Sequence, residues 1–416
     1  MKKIINILNE SPAYSFYENL PRPEIWWETS NGQGVGIWGY DWPDQLGNEI
    51  LKLTGEFQYE VWQPDVRADK EYFAKLNSGV VHRLFPATQS TSDGSEYWSN
   101  LLITKLFQEK NNRIILHLND YQRSTQKLIE VVSAKESLPI VLTGHGSFAT
   151  PLALIKRTRR IWKIPNLIIQ DRRLCVCLEN VDIITEQREK VIKDIRRVFK
   201  KSIFKLTMGC DFEFWHFRPP TFNRSAFDSR YNTKTKKVFL LASNFTPGKQ
   251  IDRLIKCLKR NILRENFLIL FVGHGMPEYE AYLHELAEPW IKTGNIAFHD
   301  YVRNEKLRDL YWAADYFLST SISEGGPVSV FQAFGCGLPV ISTNTGVSAE
   351  IMRETSTGLL LDPRRPPLWC KAINDVLEGR IILSTPVKVA RKKFSWEIIA
   401  SQFIQLYKDL WKQYYG

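Results

Sequence analysis

Long apolar runs are what this 416-residue chain has least of. The longest, VFLLA (238–242) and FLILFVG (267–273), are strand-sized. None reaches the ~20 residues that a helix needs to cross a bilayer. The N-terminal MKKIINILNESPAY is basic and then apolar. Its apolar part is too short for a secretory leader, and Asn6 interrupts it. It is expected to form a first buried strand, which places the protein in the cytoplasm. Cysteine is scarce: six in a chain of this length do not make a disulfide framework. Cys175 and Cys177, in RLCVCLE, would share one face of a strand. No histidine or second CxxC lies near enough to complete a metal site, so they are read as buried thiols. Internal repeats, low-complexity tracts and nucleic-acid-binding motifs are also missing.

What is present is 44% apolar residues, enough for ordinary cores in two or three domains, and a net charge of +11. Part of the charge is concentrated. Segment 152–173 (LALIKRTRRIWKIPNLIIQDRR) holds seven Lys/Arg against one Asp. Two readings stay open, a solvated helix face or a contact with anionic membrane headgroups. Trp162 and the Ile/Leu residues between the charges suit an interfacial helix, and nucleic acid is not expected as a partner.

Strand-like and helical runs alternate in two series. The first holds KKIINIL (2–8), EVWQPD (60–65), RIILHL (113–118), PIVLTG (139–144), LIIQD (167–171), DIITEQREKVIKDI (182–195) and IFKLTMG (203–209). The second runs from VFLLASN (238–244) to TGLLLD (357–362), after a proline-bearing linker over 217–237. Continuous apolar strands alternating with 10–14-residue helices predict parallel sheets covered on both faces. The fold class is therefore α/β, with two doubly wound, Rossmann-like domains. The boundaries are set at 1–225, 226–395 and a last helical segment, 396–416. Ligands of such sheets sit beyond the carboxyl ends of the strands, so the strand-to-helix turns are where the site is sought.

One turn, SEGGPVSVFQAFGCGLPVIS (323–342), reads either as a glycine-rich turn that closes an ordinary α/β unit or as an anion site. FLSTS before it reads as a strand, and Pro327 is suited to the first helical position. The N–H groups of Val328, Ser329 and Val330 are then free to bind an anion at the positive end of the helix. Gly325 and Gly326 allow the backbone close to that anion. Glu324 lies before the helix, and Gln332 lies about one and a half turns into it. A diphosphate flanked by two hydroxyl-rich rings, a nucleotide-sugar, fits between them.

At this turn the chain resembles the retaining GT-B glycosyltransferases of family 4. That family carries S-x-x-E-G-x-P-x-x-x-x-E-A-x-x-x-G-x-P-V-I and then G-x-x-E. The matching residues are Ser321, Glu324, Gly325, Pro327, Ala333, Gly337, Pro339, Val340, Ile341, Gly346 and Glu350. LLASNFTPGKQIDRLIKCL, FVGHGMPEYEAYL, FHDYVRNEKLRDLYWAADYFLSTS and TMGCDFEFWHFRP are similar to further segments of the family. The resemblance is strong over about 203–363, legible over 113–202 and poor over 1–110.

The resemblance implies two Rossmann-like domains facing across a cleft, with a C-terminal helix crossing back to the first. It implies Glu324 on the transferred hexose and Lys249 on the diphosphate, supporting the leaving group. Gln332 stands where the family has its second glutamate, which binds ribose, giving a Glu-x7-Gln variant. Ser243 stands where it has an arginine, with Arg253 or Arg303 as substitutes. Gly273, Gly275 and Val302 correspond to the turns that cradle the nucleoside. His145, in PIVLTGHGS, falls beside the reacting sugar, and His117 is a weaker candidate. Gly34 and Gly36 correspond to a glycine turn near acceptor and phosphates. Around them Trp26, Trp27, Trp38, Trp42 and Trp62 offer flat faces on which an acceptor glycan can stack. Asp41 and Asp44 are candidates to orient an acceptor hydroxyl.

The implied function is retaining, metal-independent transfer of a hexose from a UDP- or GDP-linked sugar to a glycan or lipid-linked acceptor, in polysaccharide synthesis. No cofactor is expected. Two alternatives remain at this stage: a catalytically degenerate glycan-binding or scaffold subunit, which Ser243 and Gln332 would suit, and a nucleotide-sugar epimerase.

Overall fold

The computed structural model describes residues 1–8, 25–37, 39, 41–89, 97–121, 123–135, 137–146, 164–260 and 266–416. Trp38 and the 152–163 part of the basic segment lie outside the described residues. The chain divides into two units, Met1–Gly209 with Trp396–Gly416, and Cys210–Ser395.

The first unit is built on an eight-stranded sheet of order β12-β11-β10-β9-β1-β4-β6-β5. Its strands are β1 (Lys2–Ile7), β4 (Phe57–Asp65), β5 (Tyr72–Lys75), β6 (Val81–Pro86), β9 (Ile114–Asn119), β10 (Ile140–Gly144), β11 (Ile183–Glu186) and β12 (Ser202–Lys205). All neighbours are parallel except β5, which runs antiparallel to β6. Two small hairpins accompany it, β2–β3 (Ile25–Trp27, Val35–Ile37) and β7–β8 (Thr88–Gln89, Tyr97–Trp98). The central strands are apolar on both faces, so helices cover both sides. The helix Trp396–Tyr415 packs Ile399, Phe403, Leu406, Tyr407 and Leu410 into this unit's core, as the three-to-four-residue spacing of its apolar positions predicts.

The second unit holds a fully parallel sheet of order β15-β14-β13-β16-β17-β18. Its strands are β13 (Lys237–Ala242), β14 (Phe267–Val272), β15 (Ile296–His299), β16 (Tyr316–Ser319), β17 (Val340–Thr343) and β18 (Leu359–Leu361). In chain order this is 3-2-1-4-5-6, the dinucleotide-fold arrangement, and strand order reverses between β13 and β16. In the first unit it reverses between β1 and β9.

Three expectations are corrected. The break between units falls at 209/210 rather than 225, because Phe212 and Trp215 are buried in the second unit's core. The supposed linker holds a helix of its own, Ser225–Tyr231. LIIQD and RLCVC are not strands but parts of one helix, Ile164–Glu179. Its buried residues Asp171, Leu174, Cys177 and Leu178 follow the helical period, which a short apolar run does not reveal by itself. One feature the sequence left unaddressed is that Cys257 and Cys370 are joined as a disulfide between the helices Ile251–Arg260 and Pro367–Leu377, with Cα atoms 6.5 Å apart. Their separation of 113 residues hides this pairing in the sequence.

Candidate functional site

In the second unit, the turns after β13 and β16 leave the sheet side by side, at the reversal of strand order. The turn after β13 closes as a short helical turn, Pro247–Lys249, with Gln250 in the left-handed region at φ 53°. It is strapped to the neighbouring turn. Ile322 N–H donates to Gly248 O at 3.0 Å, and the Thr320 hydroxyl donates to Lys249 O. The strapping brings Lys249 Nζ to 2.6 Å from Glu324 Oε1, with the two side chains 30% and 15% exposed. The two residues that the sequence singled out, 75 positions apart, form one ion pair.

The other flank of Glu324 is held from β17. The Thr343 hydroxyl donates to Ser321 O at 2.6 Å, and Val347 N–H donates to Gly325 O at 2.8 Å. Gly346 makes this approach possible. Its φ is +73°, and a Cβ there would lie 2.6 Å from Gly325 O. The motif places Gly346 in the sequence, but only the structure gives it this task.

Helix Val328–Gly335 follows, and Pro327 is its N-cap rather than its first residue. The Pro327 carbonyl accepts from Val330 N–H at 3.0 Å. Val330 is therefore no longer an open donor, and among the described residues the N–H groups of Val328 and Ser329 remain, beside Gly326. The buried Tyr311 hydroxyl reaches Ser329 O at 2.9 Å and Gln332 Oε1 at 3.2 Å. Gln332 is thus held by a phenol that sequence reasoning missed. Tyr311 lies in LRDLYWAA, where it reads only as one apolar-face residue of a helix.

Gly273 and Gly275 bring the β14 turn against the β13 turn. A Cβ at Gly273 (φ +140°) would lie 2.0 Å from Ser243 O, and one at Gly275 would lie 2.0 Å from Phe245 O. Both shape the lysine turn from behind. The Ser243 hydroxyl is buried and without a hydrogen-bond partner among the described residues. Val302 packs on the edge of the core, and Arg253 and Arg303 are exposed.

In the first unit, His145 follows β10 directly, with its ring 5.2 Å from that of Trp42 and edge-on to it. The turn that carries it is clamped from both sides. Asp120, after β9, accepts the His145 N–H, and burial pushes its pKa up to about 6. Glu186, ending β11, accepts the N–H groups of Gln187 and Arg188 at 2.7 and 3.2 Å. Burial raises the Glu186 pKa as well. Arg188 donates to Gly146 O at 3.1 Å. Gly144 has no room for a side chain, since a Cβ would meet Glu186 Oε2 at 2.2 Å. Sequence reasoning named neither carboxylate, although each stands at a strand end, where such groups matter.

Other candidates are placed elsewhere. His117 is fully buried in a core network, with Nδ1 2.6 Å from the Tyr407 hydroxyl and Nε2 2.6 Å from the Thr143 hydroxyl. Desolvation holds its pKa down at about 3, so it is a neutral structural residue. Asp44 is buried and paired with His82 at 3.0 Å, which removes it from any acceptor role. Trp62 is a core residue that donates to Glu60 at 2.7 Å. Gly34 ends the β2–β3 turn at φ +75°, and the Trp26 ring covers it where a Cβ would be. Gly36 pairs with Trp26 in that hairpin, and Trp27 packs on Tyr72. Asp41 is exposed ahead of the helix Trp42–Leu53.

Residues 223–393 match the family model described as glycosyl transferases group 1. An uncharacterized glycosyltransferase of Methanocaldococcus jannaschii is 25% identical over 177 residues, 42% of this chain and 45% of that protein. The matched stretch spans about half the length of the curated relatives. Among solved structures, sucrose-phosphate synthase from Thermosynechococcus elongatus superposes with a TM-score of 0.69 at 16% identity, over 99% of this chain and 100% of that one. HepE of Anabaena in complex with UDP-glucose gives 0.67 at 15% identity, over 98% and 100%. The chain therefore has the GT-B fold, and its residues 223–393 are similar to the glycosyl transferases group 1 family.

Proposed function

We propose that this protein is a retaining, metal-independent glycosyltransferase of family 4. It moves a hexose from a UDP- or GDP-linked sugar to a hydroxyl of a glycan or lipid-linked acceptor, in bacterial surface polysaccharide synthesis. The observation that carries the reading is the Lys249–Glu324 ion pair beside the open N–H groups of Val328 and Ser329, at the strand-order reversal of the matched domain. The UDP-glucose complex of HepE, on the same fold, supports a nucleotide-sugar donor.

Without a donor, Lys249 and Glu324 neutralise each other. A donor diphosphate takes the Lys249 ammonium and the two helix N–H groups. Glu324 is then released to accept hydroxyls of the hexose. As the anomeric C–O bond breaks, negative charge grows on the departing phosphate oxygen, where Lys249 stabilises it. The acceptor hydroxyl attacks from the same face, and its proton passes to that oxygen. His145 bonds a hydroxyl of the reacting sugar, and Gln332 meets the ribose. No metal is needed for the charge. Tryptophan faces near Trp42, with Gly34, Gly36 and Asp41, belong to the acceptor side. A peripheral contact with the cytoplasmic membrane surface, through the basic region, brings the enzyme to lipid-linked acceptors.

A thermal-shift screen against UDP, GDP, ADP and their sugars identifies the donor, and nucleotide release with that donor tests the activity. Turnover that survives both Lys249→Ala and Glu324→Ala unchanged would leave the protein a silent binding subunit.

A further inference from the structure

The helix Ile164–Glu179 is amphipathic the wrong way round for a helix that only packs. It buries Asp171, Leu174, Cys177 and Leu178. On the opposite face it turns Ile168, Ile169 and Val176 outward, with exposures of 39%, 53% and 58%. At 100° per residue these three fall on one stripe with Pro165, Arg172 and Arg173, all exposed. Beside the stripe, between this helix and Arg123–Ser133, lies a cavity of about 600 Å³. Three cations line it, Arg123, Lys127 and Arg173, against one carboxylate, Glu130. Asn166 and Gln170 add amide donors. Lys127 is held in place with its ammonium 3.9 Å from the Trp98 ring centroid.

We propose that this stripe and groove form the surface by which the protein docks on an anionic lipid bilayer. The isoleucines and the valine enter the boundary between headgroups and acyl chains. Arg172 and Arg173 keep their stems along the apolar stripe and their guanidiniums at the phosphates. The groove takes one phospholipid headgroup, whose phosphate meets Arg123 and Lys127. An anionic bilayer answers both features at once, since it alone offers a phosphate layer directly above an apolar one. No helix among the described residues is long and apolar enough to cross a membrane, so attachment here is by one face. The proposal deepens the membrane part of the proposed function and requires nothing of the transfer reaction.

The test is co-sedimentation of the full chain with phosphatidylcholine vesicles, with and without about a third phosphatidylglycerol. The wild type is expected to sediment with the anionic vesicles only, and less so as salt rises. Ile169→Asn with Val176→Asn, and separately Arg123→Gln with Lys127→Gln, should each lower the partition coefficient about tenfold or more. Melting temperature and the thermal shift with nucleotide should be retained in both. A wild type left in the supernatant overturns the proposal, and so do variants that sediment as it does. A fall in melting temperature with unchanged sedimentation in the first variant also overturns it, because the stripe would then be packed by the chain itself. Since the nucleotide shift is read separately, failure of docking and failure of the transferase reading are distinguishable.

Discussion

Lys249 and Glu324 occupy each other in the absence of substrate, and that fixes what single substitutions should do. Lys249→Ala removes the cation that pairs with Glu324 beside the helix start, so kcat/KM should fall at least ~100-fold, about 2.7 kcal/mol. The melting temperature should change little, since the pair is partly solvated and such pairs contribute about 1 kcal/mol or less. Gln332 offers a sharper test. Its carboxamide faces the Tyr311 hydroxyl at 3.2 Å. In Gln332→Glu that hydroxyl would donate to a carboxylate, and the ribose would meet a charged acceptor. Affinity for the nucleoside diphosphate should rise about fivefold, roughly 1 kcal/mol. Calorimetric titration measures it, and a weaker complex would show that the amide is the preferred partner. Tyr311 itself could not be found by pattern, because a buried tyrosine on a helix reads as core until its hydroxyl is seen to reach a site residue.

Among elements, the turns matter more than the strands they leave. The glutamate turn is pinned by the Thr343 hydroxyl and by the start of the helix Gly346–Thr355. Gly346→Ala forces a Cβ against the Gly325 carbonyl at positive φ. A loss of about 1–3 kcal/mol in stability is expected, read by denaturant titration. Nucleotide affinity should weaken with it, since Glu324 and Gly325 shift together. The second sheet was legible strand by strand, because apolar strands and helical runs of ordinary length alternate there. The first was legible only in part. LIIQD misleads because five apolar and polar residues fit a strand as well as a helix, and the surrounding charges mask the period. Asp120 and Glu186 escaped notice because nothing in NDY or ITEQ marks a carboxylate that clamps a neighbouring strand's turn.

For the whole molecule, pH dependence concentrates in the first unit. His82 is buried, with Nδ1 3.0 Å from Asp44 Oδ1 and Nε2 3.2 Å from Gln63 Oε1. Burial pushes its pKa down, but the charge and hydrogen bond of Asp44, with Asp41 beyond, outweigh it, and the net shift is upward. A raised pKa gives stability that is fully present below the unfolded value of about 6.5 and is lost as pH rises through the folded value. Asp120 acts in the same sense at lower pH. Its folded pKa of about 6 exceeds an unfolded value near 3.9, so stability falls as pH climbs between them. The melting temperature of the wild type should therefore decline from neutral to alkaline pH. His82→Gln should start lower and lose that decline, and a parallel pair of curves would show that the Asp44–His82 pair is not its source. Both carboxylates at the His145 turn, like the cations of the lipid-facing groove, come from separate strands and helices, so only the folded chain assembles them.

The central claim is that Lys249 and the start of the helix Val328–Gly335 hold a diphosphate. Calorimetric titration of the wild type and Lys249→Ala with the preferred nucleoside diphosphate and with its bare nucleoside tests it most directly. The diphosphate should bind at least ~10-fold more weakly to the variant, about 1.4 kcal/mol, while the nucleoside binds both proteins equally. Equal diphosphate affinity in the two proteins, or a matching loss for the bare nucleoside, would contradict it.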